Sequence, residues 1–594
     1  MRTQLTKVSQ TLVQVAVGEV PADLVLKQGT LVNVITGELN KNIDVAIAGN
    51  RIAYVGDAEH TIGPETEIIE LNGKYIAPGL MDGHMHVEST MLTVTEFARM
   101  ALTRGTTSIF MDPHEMANVF GTEGIRLMHE EGKGLPLNVF TTFPSSVPAT
   151  TDFEDAGAKI TAEDVAEGLT WDGVVGLGEL MNFPGVINRD QETMDIVNAT
   201  LRAEKTVTGH FPDGTDQMLQ AYLNSGADSC HETITREKAI QKLRLGMHLM
   251  IREGSAWHDV EELVKVITED NVQTDQIMLV TDDIYPQTLV EKGQVNHVVR
   301  RAIEEGVDPV IAIKLASINT ARYFKLADDF GSISPRKVAD IIILDQIETM
   351  EPELVIASGE IVAQEGKLAI DLPTYEYPDH VKDSVHVKRA IKPSDLIIKT
   401  DQKTDKVTAN VIEVIENSAR TKHTQFELKV ESDQTIVSDL DQDVIKLACL
   451  DRHHKSGDIS LAFAHGFQLK KGAVASTVAH DSHNLLVMGL NDEDMAFAAN
   501  HLVEIGGGMV VVEDGKVLAE IPLPVAGLMS DERAEIVVKH VQKLERAWED
   551  LGCPIHAPFM TLSLIALPVI PDIRITNRGL VDVSNFEFIP VIES

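Results

Sequence analysis

A chain of 594 residues, 43% of them apolar and spread along its length, is too long for one ordinary core and predicts two or three packed domains. Its 91 acidic against 51 basic residues give a formal net charge of -40, which argues against a phosphate backbone or an anionic lipid surface as partner. Three cysteines, Cys230, Cys449 and Cys553, lie far apart without CxxC spacing, which disfavours both a disulfide framework and a thiolate zinc site and fits a reducing cytoplasm. No apolar h-region opens the sequence and no run of about 18 uncharged apolar residues occurs, so neither secretion nor membrane spanning is expected.

In chain order, residues 1–23 read as an N-terminal extension with an amphipathic stretch near Val13 to Ala22. Residues 24–76 alternate apolar and polar positions around turn signals at Thr36-Gly37 and Gly49-Asn50, the pattern of short half-buried strands. The same texture returns in 330–375, in GSISPRKVADIIILD and ELVIASGEIVAQEGK, so two β-rich pieces flank a long middle segment. Within 77–329, apolar runs alternate with helical stretches every 25 to 40 residues or about that, the rhythm of βα units. The runs are predicted to end at Asp82, Met111, Phe143, Gly178, Thr208, Cys230, Ile251 and Val280. Eight such units predict an α/β fold with a closed (β/α)8 TIM-type barrel, since closure gives every parallel strand two neighbours. After Leu372 the Pro- and charge-rich PTYEYPDHVKDS predicts a linker, and 380–594 an additional C-terminal α+β domain with a hairpin turning at Asp514-Gly515.

The chemistry collects at the predicted strand ends. PGLMDGHMHVEST presents His84 and His86 at i and i+2, which an extended backbone points to one side, so that both imidazoles reach one cation. The fourth strand runs out at Glu179, the fifth at His210, the sixth at His231 and Glu232, and the eighth at Asp282 and Asp283. A lone buried carboxylate at Glu179 is costly, whereas one bridging two cations is satisfied. In a parallel barrel these ends converge on the face that carries active sites. Four imidazoles and two carboxylates form a nitrogen and oxygen donor set for divalent Mn, Fe or Zn, and suit two ions better than one.

This pattern resembles the amidohydrolase superfamily, whose members pair a first-strand HxH with histidines on strands five and six and an aspartate on strand eight. The resemblance implies that 24–76 and 330–375 join in one composite β-sandwich. Members often bridge the metals with a carboxylated lysine on the fourth strand; Glu179 stands there instead. That departure, with MDGHMHVEST, MDPHEMANVFG, HETITREKA and AHDSHN, is similar to the adenine deaminases within that superfamily. The likeness implies that His84 and His86 bind one metal, His210 and His231 the other, that Glu179 bridges them, and that Asp282 serves as ligand and proton shuttle.

The implied reaction is hydrolysis of adenine to hypoxanthine and ammonia, a purine-salvage step in which metal-activated hydroxide attacks carbon 6. Glu232 is the expected proton donor to the ring, either kept protonated by burial or acting as a relay. Arg252, Glu253 and Ser255 at the seventh strand end, Asp283, and the C-terminal His480 and His483 are expected to contact the purine. Glu88, His114 and Glu115 are expected either to support the metal ligands or to contact substrate. The expected assembly is a cytoplasmic homo-oligomer acting on a small purine base, without nucleic acid or membrane. Two alternatives remain at this level: hydrolysis of a cyclic amide or N-acyl bond by the same metals, and a non-catalytic scaffold barrel.

Overall fold

The apolar runs of the middle segment form eight short parallel strands in the computed structural model, which describes residues 4–255, 257–416 and 418–593. They are β1 Leu80–Met85, β2 Thr106–Met111, β3 Asn138–Phe143, β4 Val174–Leu180, β5 Thr206–Gly209, β6 Ser229–Cys230, β7 His248–Arg252 and β8 Ile277–Val280. Every position of β1, β2, β5 and β8 is buried, as expected for strands covered on both faces. The expected strand ends match closely; the largest offset is at β1, which runs on past Asp82 to Met85.

β1 to β5 pair in sequence order in one sheet, and β6 to β8 in a second. Single parallel bridges, Val207 to Ala227 and Met85 to Asp282, connect the two groups. The second seam is reinforced by Asp82 of β1, whose carboxylate accepts from the Thr281 backbone N–H at 3.1 Å and from the Thr281 hydroxyl at 2.5 Å. It therefore fixes the register between the strands that carry His84 and Asp282.

The two β-rich pieces meet along one strand pair. Tyr75–Pro78 pairs antiparallel with Ile341–Leu344 inside one nine-stranded sheet drawn from both. The N-terminal segment differs from its expected placement: the helix is Leu5–Ala16, and Gly18, at φ 76°, turns the chain out of it before the Val20-Pro21 pair. Leu12 and Val15 pack on Ala46 and Ala53, so this segment covers the sheet instead of extending from it.

The expected linker is also a packed element. Tyr377 and Val381 are buried, the Tyr377 hydroxyl donates to Glu131 at 2.6 Å, and the Ala526 N–H donates to the Val381 carbonyl at 2.9 Å. Prolines and charges in this stretch conceal its buried apolar side chains. Beyond it, an eight-stranded sheet is covered by helix Asp492–Glu504, and its edge hairpin, Gly508–Glu513 with Lys516–Pro522, turns at Asp514-Gly515 as expected. Helices Ala534–Asp550 and Pro558–Leu564 and a three-stranded sheet follow. One continuous apolar cluster joins Met85, Met91 and Leu92 of the parallel-strand region to Val478, Met529, Phe559 and Leu564 of this C-terminal region. The Ser530 N–H donates to the Met91 carbonyl at 2.8 Å across the same junction. Among the described residues no helix is long and apolar enough to cross a membrane.

Candidate active site and metal centre

The six expected donors meet at one end of the parallel strands, all buried. Glu179, near the end of β4, places Oε1 3.4 Å from His86 Nε2, and its Oε2 lies 2.7 Å from His210 Nδ1 and 3.0 Å from His231 Nε2. One carboxylate thus faces both histidine pairs with a different oxygen. Asp282 Oδ1 lies 3.5 Å from His84 Nε2 and 3.3 Å from His86 Nε2. Burial alone would push the Glu179 carboxyl up; His231 and His210 beside it hold it well below the usual range.

Backbone contacts orient these side chains. His86 Nδ1 lies 2.9 Å from the Asp112 carbonyl, an acceptor that takes its proton and leaves the Nε2 lone pair to the site. The Asp112 carboxylate in turn accepts the Glu179 N–H at 2.8 Å. Its approach requires glycine at 178, where an added Cβ would sit 2.4 Å from Asp112 Oδ2. The His210 N–H donates to the Tyr222 hydroxyl at 2.9 Å, which itself donates to the Leu180 carbonyl at 2.8 Å.

Arg252, at the end of β7, joins the carboxylates. Its Nη1 donates to Asp282 Oδ2 at 2.8 Å and also to Glu232, its Nη2 donates to Glu232 Oε2 at 3.3 Å, and its Nε donates to Asp259 at 2.8 Å. The Trp257 ring lies under the guanidinium at 4.9 Å. Of the two routes expected for Glu232, protonated by burial or acting as a relay, these contacts favour the relay: burial pushes its carboxyl up, but Arg252, with His210 and His231, holds it below the ordinary value.

The cavity at this end is lined by five of the six donors, His86, Glu179, His210, His231 and Asp282, together with Glu232, Arg252, Asp283, His114, Glu115 and His480, while His84 lies behind its wall. His114 Nδ1 is 3.4 Å from Glu179 Oε1 and its Nε2 3.6 Å from Asp481 Oδ1, so it links the barrel to the C-terminal region. Glu88 lies outside the wall, accepting the Met116 N–H at 3.1 Å; burial, then the neighbouring Glu115, push its carboxyl up to about 8.

Three expected substrate contacts are not brought to the cavity wall. Glu253 turns away, its carboxylate meeting His258 at 3.2 Å and the Val260 N–H at 3.3 Å. The Ser255 hydroxyl donates to Thr288 at 2.8 Å and accepts the Tyr285 N–H at 2.7 Å, a loop-bracing role. His483 is fully buried, and its Nδ1 accepts the Ala479 N–H at 3.1 Å. Sequence reasoning missed Asp481, Trp257 and the apolar roof of Ala419, Leu564, Leu567 and Ile570, all lining the cavity. Asp481 carried a signal, lying between two histidines in AHDSH; the roof residues read as ordinary core.

An amidohydrolase family model matches residues 75–362, and a model of the adenine deaminase C-terminal domain matches residues 418–587. The chain is 50% identical over 592 residues to an adenine deaminase of Moorella thermoacetica, covering 100% of this chain and 99% of that protein. The chain belongs to the adenine deaminase family. An adenine deaminase of Clostridium botulinum strain Langeland is 48% identical over 587 residues, 98% of each chain. One from Roseobacter denitrificans is 46% identical over 587 residues, 98% of this chain and 97% of its own. Amidohydrolases of this family imply a divalent metal, and the adenine deaminase-type donors here fit one. His84, His231 and Asp282 bring ligand atoms within 4.8 Å of one another, as do Glu179, His210 and His231. His84 Nε2 is buried without a hydrogen-bond partner, which is costly unless a cation takes its lone pair.

Proposed function

We propose that the protein hydrolyses adenine to hypoxanthine and ammonia. The observation that carries the reading is the Glu179 carboxylate facing two histidine pairs at 2.7 to 3.4 Å, in a chain of the adenine deaminase family. His84, His86 and Asp282 would hold one divalent ion, His210 and His231 a second, and Glu179 both. Their nitrogen and oxygen donors suit Mn²⁺ or Fe²⁺ and tolerate Zn²⁺. When bound, the ions supply Lewis acidity that makes water a nucleophile near neutrality.

Asp282 accepts the proton of the water that attacks carbon 6, its carboxylate held in place by Arg252 Nη1 at 2.8 Å. Glu232, ionised and linked to Asp282 through Arg252 Nη1, relays a proton to a ring nitrogen instead of carrying one at rest. Arg252 orients both carboxylates, and Asp283 and His480 contact the base. The eight strands with their two seam bridges support a closed (β/α)8 barrel spanning 77–329. Residues 24–76 and 330–375 then form the composite β-sandwich and 380–594 the C-terminal α+β domain. A cytoplasmic homo-oligomer that acts on a free base and binds neither nucleic acid nor an anionic membrane completes this reading, and the net charge of -40 supports only its last element.

The test is conversion of adenine by Mn²⁺-loaded enzyme, followed by the ultraviolet shift to hypoxanthine and by released ammonia. Turnover of dihydroorotate with none of adenine would refute the reading in favour of cyclic-amide hydrolysis.

A further inference from the structure

A free purine base carries an N–H on its five-membered ring, where a nucleoside carries its sugar. A site that demands the free base needs a hydrogen-bond acceptor for that N–H and surroundings hostile to a sugar, because a polar group built to pair with an N–H is left unpaired by an analogue that lacks it. Both conditions are met at the face that the C-terminal region closes.

Glu115 begins the helix His114–Gly132 that follows β2, and its side chain is buried. Its Oε1 lies 3.2 Å from His480 Nδ1 and accepts from the Ser89 hydroxyl at 3.1 Å. A carboxylate against Nδ1 favours the histidine tautomer protonated there. Nε2 then keeps its lone pair, and it is the nitrogen left for a ligand in the cavity that His480 lines. The segment carrying His480 is held from behind: Arg452, fully buried, donates to the His483 carbonyl and to the Ala526 carbonyl at 3.0 Å, while the Ala479 N–H donates to His483 Nδ1 at 3.1 Å. The roof of Ala419, Leu564, Leu567 and Ile570 offers side chains without a hydrogen-bonding group, so ribose hydroxyls pressed against it lose water and gain no side-chain partner.

We infer that Glu115 and His480 form a free-base reader: His480 Nε2 accepts the five-ring N–H of the purine, Glu115 sets the tautomer that makes it an acceptor, and the apolar roof excludes the sugar. The inference rests on the adenine reading and extends it to substrate range. It places the choice between base and nucleoside in the C-terminal region, on the side of His114 away from Glu179.

The experiment compares kcat/KM for adenine and for 9-methyladenine, whose ring has no N–H, in wild type, His480→Ala, His480→Gln and Glu115→Gln. Metal content and circular dichroism are matched across the set. Wild type is expected to favour adenine by about 10⁴-fold or more. That ratio falls at least tenfold in His480→Ala, falls in the same direction in Glu115→Gln, and recovers in His480→Gln, whose amide oxygen restores an acceptor near the position of Nε2. A purely structural role would lower both rates together and leave the ratio unchanged. An unchanged ratio in His480→Ala and Glu115→Gln, or a wild type that accepts both substrates equally, overturns the inference while leaving adenine deamination standing. A metal-replete wild type inactive on adenine overturns the adenine reading, and the inference with it.

Discussion

Replacing Arg252 by Met removes the cation that Glu232 and Asp282 share. The guanidinium side chain is 4% exposed and makes two hydrogen bonds to Glu232, one to Asp282 and one to Asp259. Hydrogen bonds to charged groups contribute about 1.5–3 kcal/mol each, and removing one partner of a buried ion pair costs about 3–5 kcal/mol. Asp282, 6% exposed, is the least able of the three carboxylates to rehydrate, so the loss falls hardest on it. That stability cost is read as a lower Tm, and with the two carboxylates of the proton path no longer held by Arg252, kcat/KM for adenine should fall by about 10²-fold or more, the lower end of what positioned acid–base groups contribute. Arg252→Lys keeps the charge but not the fork, since a single ammonium does not reach Glu232, Asp282 and Asp259 together. It should restore thermal stability and no more than about a tenth of the rate. The assay is steady-state adenine turnover with metal content and Tm measured on the same preparations. An Arg252→Met enzyme with full metal content and kcat/KM within fivefold of wild type would refute the bridging role.

Asp282→Asn should lower kcat about 10²–10⁴-fold, the range for loss of a general base, with the fold intact by circular dichroism; a kcat within tenfold of wild type removes Asp282 from that role. Glu179→Ala should reduce bound metal below two ions per chain by elemental analysis, because the carboxylate faces both histidine pairs; two retained ions would contradict the shared-ligand assignment. Glu154, buried beside the 478–484 segment, has its carboxyl pushed up to about 8, first by burial. The folded state therefore holds a proton that the unfolded chain releases near its ordinary value, and stability falls as pH rises from about 4.5 to 8. Glu154→Gln lacks that loss, so its Tm advantage over wild type should be small at pH 5 and grow toward pH 8; a constant difference would refute the shift. A chain ending near residue 378 should be insoluble and inactive, because the apolar cluster of Met91 and Leu92 loses Met529, Phe559 and Leu564.

What was legible in the sequence followed from local pattern. Apolar runs alternating with helical stretches marked β1 to β8, and placing His84, His86, Glu179, His210, His231 and Asp282 at their ends was enough to predict a common face. Partner choice was not legible. Arg252 looked like a substrate contact because its position at a strand end says nothing of a fork that reaches Glu232 and Asp282, residues 20 and 30 positions away. Glu253 and Ser255 follow it directly, yet backbone direction sends one to Val260 and the other to Thr288. His480 and His483 looked equivalent in AHDSH; the turn between them sends one ring into the cavity and the other back onto the Ala479 N–H. Leu564, Leu567 and Ile570 have the composition of any core segment, so no local signal distinguishes a cavity roof from buried packing.

The roof also sets an order of events during synthesis. The last strand residue of the barrel is Val280, whereas Ile570, which covers its mouth, is made 290 residues later. At about 5–20 residues per second, the ribosome leaves that mouth uncovered for roughly 15–60 s. Through that interval Met91, Leu92 and their neighbours face water, and the cation donors are accessible from solvent. The same interval leaves the apolar surface of Met91, Leu92 and their neighbours exposed to aggregation, because the segment that covers it is made last.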